Sequence, residues 1–138
     1  MLINHKNYLE YEIPDKWVSE DTGDTTSVYF NDGNGALTLS YFTIIEMQET
    51  LDEHISIMAK KFIDANQIKL NHALILDGTK KEKTVLYGIG STSDQWFIKL
   101  WVIAQFPKVV FATYHSEKKT SELKKVDQII SSFRFVQD

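Results

Sequence analysis

The side chains best suited to chemistry in this chain are its four histidines, and they form no known catalytic or metal-binding pattern. They are His5, His54, His72 and His115. No two of them have the spacing of helical metal ligands, and no Gly-x-Ser-x-Gly or His-Glu-x-x-His motif is present. The chain also contains no cysteine, which removes disulfides and thiolate chemistry. The sequence therefore predicts no catalytic residue, no metal site and no cofactor.

Two segments superficially look like ligand-binding loops. Gly88-Ile89-Gly90-Ser91 is glycine-rich but lacks the following helix whose backbone N–H groups would hold a phosphate. The run Glu20–Asp24, here called the acidic segment, has neither the 12-residue spacing nor the closing glutamate of a calcium loop. Neither segment predicts a bound ion or nucleotide.

His72 lies among leucines in a run with strand periodicity, so the sequence predicts a neutral core histidine there. An alternative stays open from the same residues. His72 or His115 can lie in a pocket beside Tyr87 or Tyr114, which would be a small-ligand or enzymatic site. That alternative requires polar groups that converge on one point.

Composition limits the remaining possibilities. The chain has 138 residues, 43% of them hydrophobic, which predicts one domain over residues 1–138. A net charge of -4 and a pI near 5.5 argue against nucleic-acid binding. No run approaches the ~20 apolar residues of a membrane span, and no signal peptide is evident. We therefore expect a cytoplasmic protein that does not bind membranes.

The segment from Trp96 to Phe106 contains apolar residues on both faces of a predicted strand. Successive strand residues point to opposite faces, so Phe97 and Trp101 share one face and Leu100 lies on the other. This pattern predicts a strand covered on both sides, or one with an exposed binding face. The two helices predicted before and after it favour cover on both sides.

The other elements follow from periodicity and turn residues. Thr50 and Glu53 form a capping box that starts a helix over about 50–66, and Thr120 or Ser121 caps a second over about 120–132. The predicted strands are Tyr8–Ile13, Thr25–Asn31, Ala36–Ile45, Ile68–Leu76, Lys83–Ser91, Trp96–Phe106 and Val109–Ser116. Turns are predicted at Asp32–Gly35 and at Asp77-Gly78. The fold class is therefore α+β, with an antiparallel sheet of about six to seven strands.

Two groups of residues are candidates for contact with a partner. The first is aromatic: Trp17, Phe97 and Trp101, each of which is either core or part of an exposed patch. The second is acidic: Glu20, Asp21 and Asp24 lie where seven acids between residues 10 and 32 meet a single lysine. Such a charged surface can steer a basic partner, although a solvated strand and loop give the same pattern.

The chain resembles the Mog/PsbP-like superfamily. Tyr11-Glu12-Ile13-Pro14-Asp15-Lys16-Trp17 and Ile129-Ile130-Ser131-Ser132-Phe133-Arg134 carry the resemblance, and the middle of the chain matches in element order. It implies a three-layer α/β/α sandwich. The superfamily includes a Ran-binding import factor, photosystem assembly proteins, DcrB-like lipoproteins and type VI secretion adaptors, which generally bind proteins. No site residue is carried over from them.

The resemblance thus implies a non-catalytic protein-binding domain, of the type of a bacterial secretion adaptor or toxin-immunity protein. Its partner would be another protein. The small-ligand or enzymatic domain near His72 or His115 remains the first alternative. The second is a structural homodimer in which the aromatic patch is the interface.

Overall fold

The computed structural model describes residues 1–77 and 83–137. Within them the elements, in chain order, are β1 (Leu2–His5), β2 (Leu9–Glu12), β3 (Trp17–Thr22), β4 (Thr25–Phe30), β5 (Gly35–Thr43), α1 (Leu51–Ala65), β6 (Lys69–Leu70), β7 (Ile75–Asp77), β8 (Thr84–Ser91), β9 (Phe97–Gln105), β10 (Lys108–Ser116), α2 (Leu123–Ser131) and β11 (Arg134–Phe135). The fold is α+β, as predicted.

The strands form two antiparallel sheets. The large sheet has eight strands in the order β3-β4-β5-β10-β9-β8-β6, with β7 also paired to β8. The small sheet has the order β1-β2-β11. The described chain therefore has more strands than the six to seven predicted, and they form two sheets instead of one. The prediction missed β1, and it treated β3 as a short extended piece, although β3 pairs with β4 over six residues.

Both faces of β9 are buried, which confirms the prediction of cover on both sides. Leu100 and Val102 belong to a core cluster that includes Ile55 and Ala59 of α1. Trp101 belongs to the other cluster, which contains the apolar residues of α2 and of the small sheet. We call these the α1 face and the α2 face of the large sheet.

The first helix begins as predicted. The Thr50 side chain accepts a hydrogen bond from the Glu53 backbone N–H at 3.2 Å, and the cap residue has extended backbone geometry. The predicted cap of the second helix is wrong. Glu122 occupies the N-cap position of α2 with helical backbone angles, and the Thr120 hydroxyl lies 3.2 Å from that of Tyr114. The Thr120 hydroxyl thus contacts Tyr114 of β10 instead of capping the helix, and α2 begins three residues later, at Leu123.

The strand predicted over Ile68–Leu76 is broken, and His72 is not in the core. His72 is exposed, and its ring Nδ1 donates to the Ala73 carbonyl at 2.8 Å. Leu70 and Leu74 both fold toward Gly88, where an added Cβ would lie 3.3 and 2.8 Å from their Cδ2 atoms. Because two residues four apart reach the same glycine, the chain between them turns outward. Gly78 of the predicted turn lies outside the described residues.

Most of the acidic segment is strand and the rest is a turn. Its first three residues, Glu20 to Thr22, belong to β3, and the turn to β4 consists of Gly23 and Asp24. Gly23 has φ +80°, which glycine adopts without steric cost, so two residues are enough to join the strands. Neither helix of the described chain is long and apolar enough to cross a membrane.

Candidate functional site

An open apolar groove lies on the α1 face, beside α1. It has a volume of about 430 Å³. Its lining residues are Thr38, Ser40, Phe42, Met58, Lys61, Phe62, Phe111 and Thr113. Phe62 and Phe111 pack with their ring centroids 4.7 Å apart, while Phe42 is 46% exposed. An exposed ring next to packed rings makes the groove suited to receive an apolar side chain.

The sheet and the helix each supply one wall of the groove. Thr38, Ser40 and Phe42 alternate along one face of β5. On the neighbouring strand β10, Thr113 lies opposite Thr38 and Phe111 lies opposite Ser40. Met58, Lys61 and Phe62 lie three and four residues apart on α1, which places them on one side of the helix.

A second depression, here called the polar cleft, adjoins the groove at Phe42. It has a volume of about 510 Å³. Its lining residues are His5, Lys6, Tyr8, Gly23, Asp24, Tyr41, Phe42 and Thr43. The cleft thus joins the turn of the acidic segment to the small sheet, and it mixes two charged residues with aromatic rings.

A hydrogen-bonded network forms one wall of the polar cleft. His5 Nδ1 lies 3.3 Å from Asp21 Oδ1, and the His5 ring stacks on Tyr41 with centroids 3.9 Å apart. The Thr26 hydroxyl donates to Asp21 at 2.7 Å and lies 2.6 Å from the Tyr41 hydroxyl. Because a threonine hydroxyl has one proton, Tyr41 donates in the second bond. The network links β1, β3, β4 and β5.

Burial changes the acid–base behaviour of this wall. It raises the pKa of the Tyr41 phenol far above its ordinary value of 10.0, and nearby Tyr11, Asp21 and Tyr8 add to the effect. Burial also raises the pKa of the Tyr8 phenol, although the Val109 backbone N–H donates to its oxygen at 2.9 Å and opposes the shift. Both phenols stay neutral through physiological pH and act as hydrogen-bond donors.

The raised pKa of Tyr41 predicts a loss of stability in alkali. Its contribution is complete below the unfolded value of about 10 and is lost as the pH rises through the higher folded value. We expect titration at 295 nm to show one phenol that ionises after the others, and Tyr41→Phe to remove that last step. If Tyr41→Phe instead removes part of the absorbance change near pH 10 and keeps the last step, the late-ionising phenol is not Tyr41.

Comparison with known proteins identifies the fold and nothing more specific. No family model and no curated protein sequence matches the chain. A solved Bacteroides thetaiotaomicron protein has a TM-score of 0.64 at 14% identity, over 95% of this chain and 46% of its own, so the chain spans about half of that protein. Cyanobacterial PsbP (CyanoP) from Synechocystis gives 0.65 at 15% identity, over 96% of this chain and 89% of its own.

A mutant of the protein Mog1 is similar over nearly the whole length of both chains. The TM-score is 0.63 at 11% identity, over 99% of this chain and 96% of that one. The chain has a Mog/PsbP-like fold. This confirms the resemblance inferred from the residues at the two ends of the sequence, since PsbP and Mog1 are both among the similar structures.

The aromatic candidates lie inside this Mog/PsbP-like fold. Trp17 and Trp101 are 5% and 3% exposed, and both belong to the core cluster on the α2 face. Phe97 is partly buried and packs against the same cluster. These three side chains therefore hold the α2 face together in this structure, and the two tryptophans offer no exposed ring to a partner.

The acidic candidates are at the surface. Glu20 accepts a hydrogen bond from the Tyr29 hydroxyl at 2.9 Å, and Asp21 joins the His5 network. Asp24 lines the polar cleft. The Mog/PsbP-like fold thus brings Asp21 and Asp24 to one cleft, with Glu20 on the same strand as Asp21.

The histidines proposed for a ligand pocket are elsewhere. His72 and His115 are both exposed, and neither lines the apolar groove or the polar cleft. His115 lies against Trp96, with ring centroids 5.9 Å apart. His5, which sequence reasoning did not single out, is the histidine of the cleft.

Phe42 was also missed as a site residue, although the sequence contained a signal for it. Along β5, Leu37 and Leu39 alternate with Thr38 and Ser40, which indicates one buried and one wet face. Phe42 continues the wet face. An aromatic residue on a wet strand face is a candidate contact residue.

Proposed function

We propose that this chain is a non-catalytic protein-binding domain over residues 1–138, built as a three-layer α/β/α sandwich, and that the apolar groove receives an apolar side chain of the partner. The observation that carries the proposal is the exposure of Phe42, 46%, in a groove whose other aromatic walls are already packed. Interface energy concentrates at such anchors, where an apolar group enters a preformed pocket.

The surface around Phe42 supports a partner of protein size. The groove and the polar cleft meet at Phe42, and their combined lining offers rings, hydroxyl groups and charges of both signs. This is the usual composition of an interface, with an apolar centre and a polar rim. Glu20, Asp21 and Asp24 would form the acidic side of that rim, as the sequence predicted.

A more specific function follows from what the resemblance to the superfamily implies. We infer a bacterial, cytoplasmic binding protein of the secretion-adaptor or toxin-immunity type. Bacterial origin of two of the similar structures is compatible with this inference. A homodimer that uses the groove is an alternative, and it would make the partner a second copy of the chain.

A small-ligand or enzymatic role is the second candidate function. The polar cleft supports it better than the surroundings of His72 or His115 do. Its wall holds a histidine whose Nδ1 faces a carboxylate, an arrangement that fixes an imidazole in one orientation. The cleft is separate from the apolar groove except at Phe42, so variants can distinguish the two functions.

Phe42→Ser should abolish capture of the partner. We expect the dissociation constant to rise at least about 30-fold, because truncating an interface anchor costs about 2 kcal/mol or more. The measurement is affinity purification from cells that produce the protein, followed by titration of the captured protein against the purified variant.

Leu76→Ser is the matched control. Leu76 is also 46% exposed, but it lies on β7, which pairs with β8 on the side of the sheet away from β5. The control should bind as the wild type does. Equal binding by wild type and Phe42→Ser, with both folded, would show that the groove is not the binding site.

A further inference from the structure

We propose that the partner inserts an amphipathic helix into the apolar groove, alongside α1, and that an acidic residue of this helix pairs with Lys61. This inference rests on the proposed function and specifies the occupant. It follows from the uncovered part of the α1 face, from the shape of the exposed side of α1, and from the charge in the lining of the groove.

One helix covers only part of the α1 face. Seven strands side by side span roughly 30 Å, whereas a helix with its side chains is about 10–12 Å wide. The core cluster under α1 contains residues of β8, β9 and β10 and none from β3, β4 or β5 within the described chain. The uncovered strands therefore leave space for a second helix beside α1.

The side of α1 that borders this space has the pattern of a helix-packing surface. Met58 and Phe62 are one turn apart and line the groove. Ile57 precedes Lys61 by one turn and is 44% exposed. Residues at these spacings form a ridge that packs between the side chains of a neighbouring helix.

The charge in the lining of the groove itself specifies the partner further, whereas Asp24 of the acidic rim lines the polar cleft. Lys61 is exposed and forms no ion pair within residues 1–77 and 83–137. Across the groove, the sheet contributes the hydroxyl groups of Thr38, Ser40 and Thr113. An apolar stripe bordered by a carboxylate complements this arrangement, because the stripe would contact the rings while the carboxylate meets the ammonium group.

A small amphiphile fits the groove less well than a helix. Small-molecule sites usually enclose most of the ligand surface. Here the groove is open enough to leave Phe42 46% exposed, so a free small molecule would keep much of its apolar surface in water. A helix that belongs to a folded partner is covered on its outer side by that partner.

Photo-cross-linking tests the occupant directly. The full chain, with p-benzoylphenylalanine in place of Ile57, is irradiated in cells that produce the protein, and the cross-linked peptide is sequenced. The same photoreactive residue at Leu76 is the control. We expect an adduct at Ile57 alone, to a segment with apolar residues at i, i+3 or i+4, and i+7 and a flanking acid. This segment, synthesised, should gain helical circular dichroism on binding.

The charge pair gives a second readout. Lys61→Glu should weaken binding of the synthetic peptide about 5-fold, and exchanging the flanking acid of the peptide for lysine should restore it. An adduct to an extended segment, to a second copy of this chain or to no protein at all overturns the helix proposal. If Phe42→Ser still loses a captured protein in those cases, the proposed function stands without its helical occupant.

Discussion

Trp101→Ala should lower the free energy of unfolding by about 3 to 5 kcal/mol, the cost of removing a large buried aromatic side chain. Trp101 is 3% exposed and lies in the core cluster of the α2 face. Its cross-strand neighbours are Tyr87 on β8 and Ala112 on β10. Because the alanine is small and β9 is in the middle of the sheet, the surroundings cannot close the cavity without moving strands.

The ring also supports the contact between the sheet and α2. Lys99 Nζ lies 5.0 Å from the centre of the Trp101 ring and 2.8 Å from Asp127 Oδ1 on α2. The Lys99 ammonium group therefore lies over the ring while it pairs with the helix. Removal of the ring also removes this cation–π contact, which adds to the cavity cost.

Trp96→Ala is the matched control, because Trp96 precedes β9 directly and is 38% exposed. We expect a loss below about 1 kcal/mol, as is usual for surface positions. The measurement is urea unfolding followed by far-ultraviolet circular dichroism. Comparable losses in the two variants would mean that the α2 face is not the tightly packed core described here.

The position of Trp101 in the core was predictable because it depends on local pattern. Apolar residues on both faces of one strand, with a helix predicted on each side in sequence, favour cover on both sides. The groove at Phe42 was not predictable in this way. It exists because α1 lies over β8 and β9 and leaves β5 partly uncovered. The periodicity of a helix shows which side is apolar but not which strands it will cover.

The polar cleft shows a second limit of sequence reasoning. His5 and Asp21 are 16 positions apart in the chain and meet because β1 belongs to a small sheet that packs on the α2 face. The acidity of the segment was visible in the sequence, and Asp21 and Asp24 were named from it. Their histidine partner was not, since β1 has only four residues and no clear alternation.

The hairpin between β4 and β5 was predicted correctly, but one of its glycines has a different role. A Cβ on Gly33 would lie 2.2 Å from Oε2 of Glu122. The Phe30 carbonyl oxygen would lie 2.9 Å from the same Cβ, so a larger residue at position 33 would displace the Glu122 carboxylate and strain the turn.

Glu122→Ala should lower the free energy of unfolding by about 3 kcal/mol, because several hydrogen bonds to one charged acceptor are lost together. The carboxylate accepts from the backbone N–H groups of Asn34 and Gly35 at 3.2 and 3.3 Å, and from the Tyr114 hydroxyl at 2.9 Å. Tyr114 is fully buried, and burial raises the pKa of its phenol. It therefore remains a donor, and without Glu122 the Thr120 hydroxyl at 3.2 Å is left as its partner.

Glu117→Ala controls for the loss of one negative charge, since Glu117 is an exposed residue of the same connection between β10 and α2. It should change stability by less than about 0.5 kcal/mol. Both variants are compared with wild type by urea unfolding. A loss for Glu122→Ala as small as that of Glu117→Ala would show that the carboxylate does not hold the hairpin.

Glu122→Gln separates shape from charge at this position. The amide keeps the size of the side chain but has only one oxygen, and its NH₂ group cannot accept from the backbone of Asn34 or Gly35. We therefore expect about half the loss of Glu122→Ala. A glutamine as stable as wild type would mean that one acceptor is sufficient. Such a result would assign the clamp to Oε1, which accepts from both the Tyr114 hydroxyl and the Gly35 N–H, and would show that the bond from Asn34 adds little.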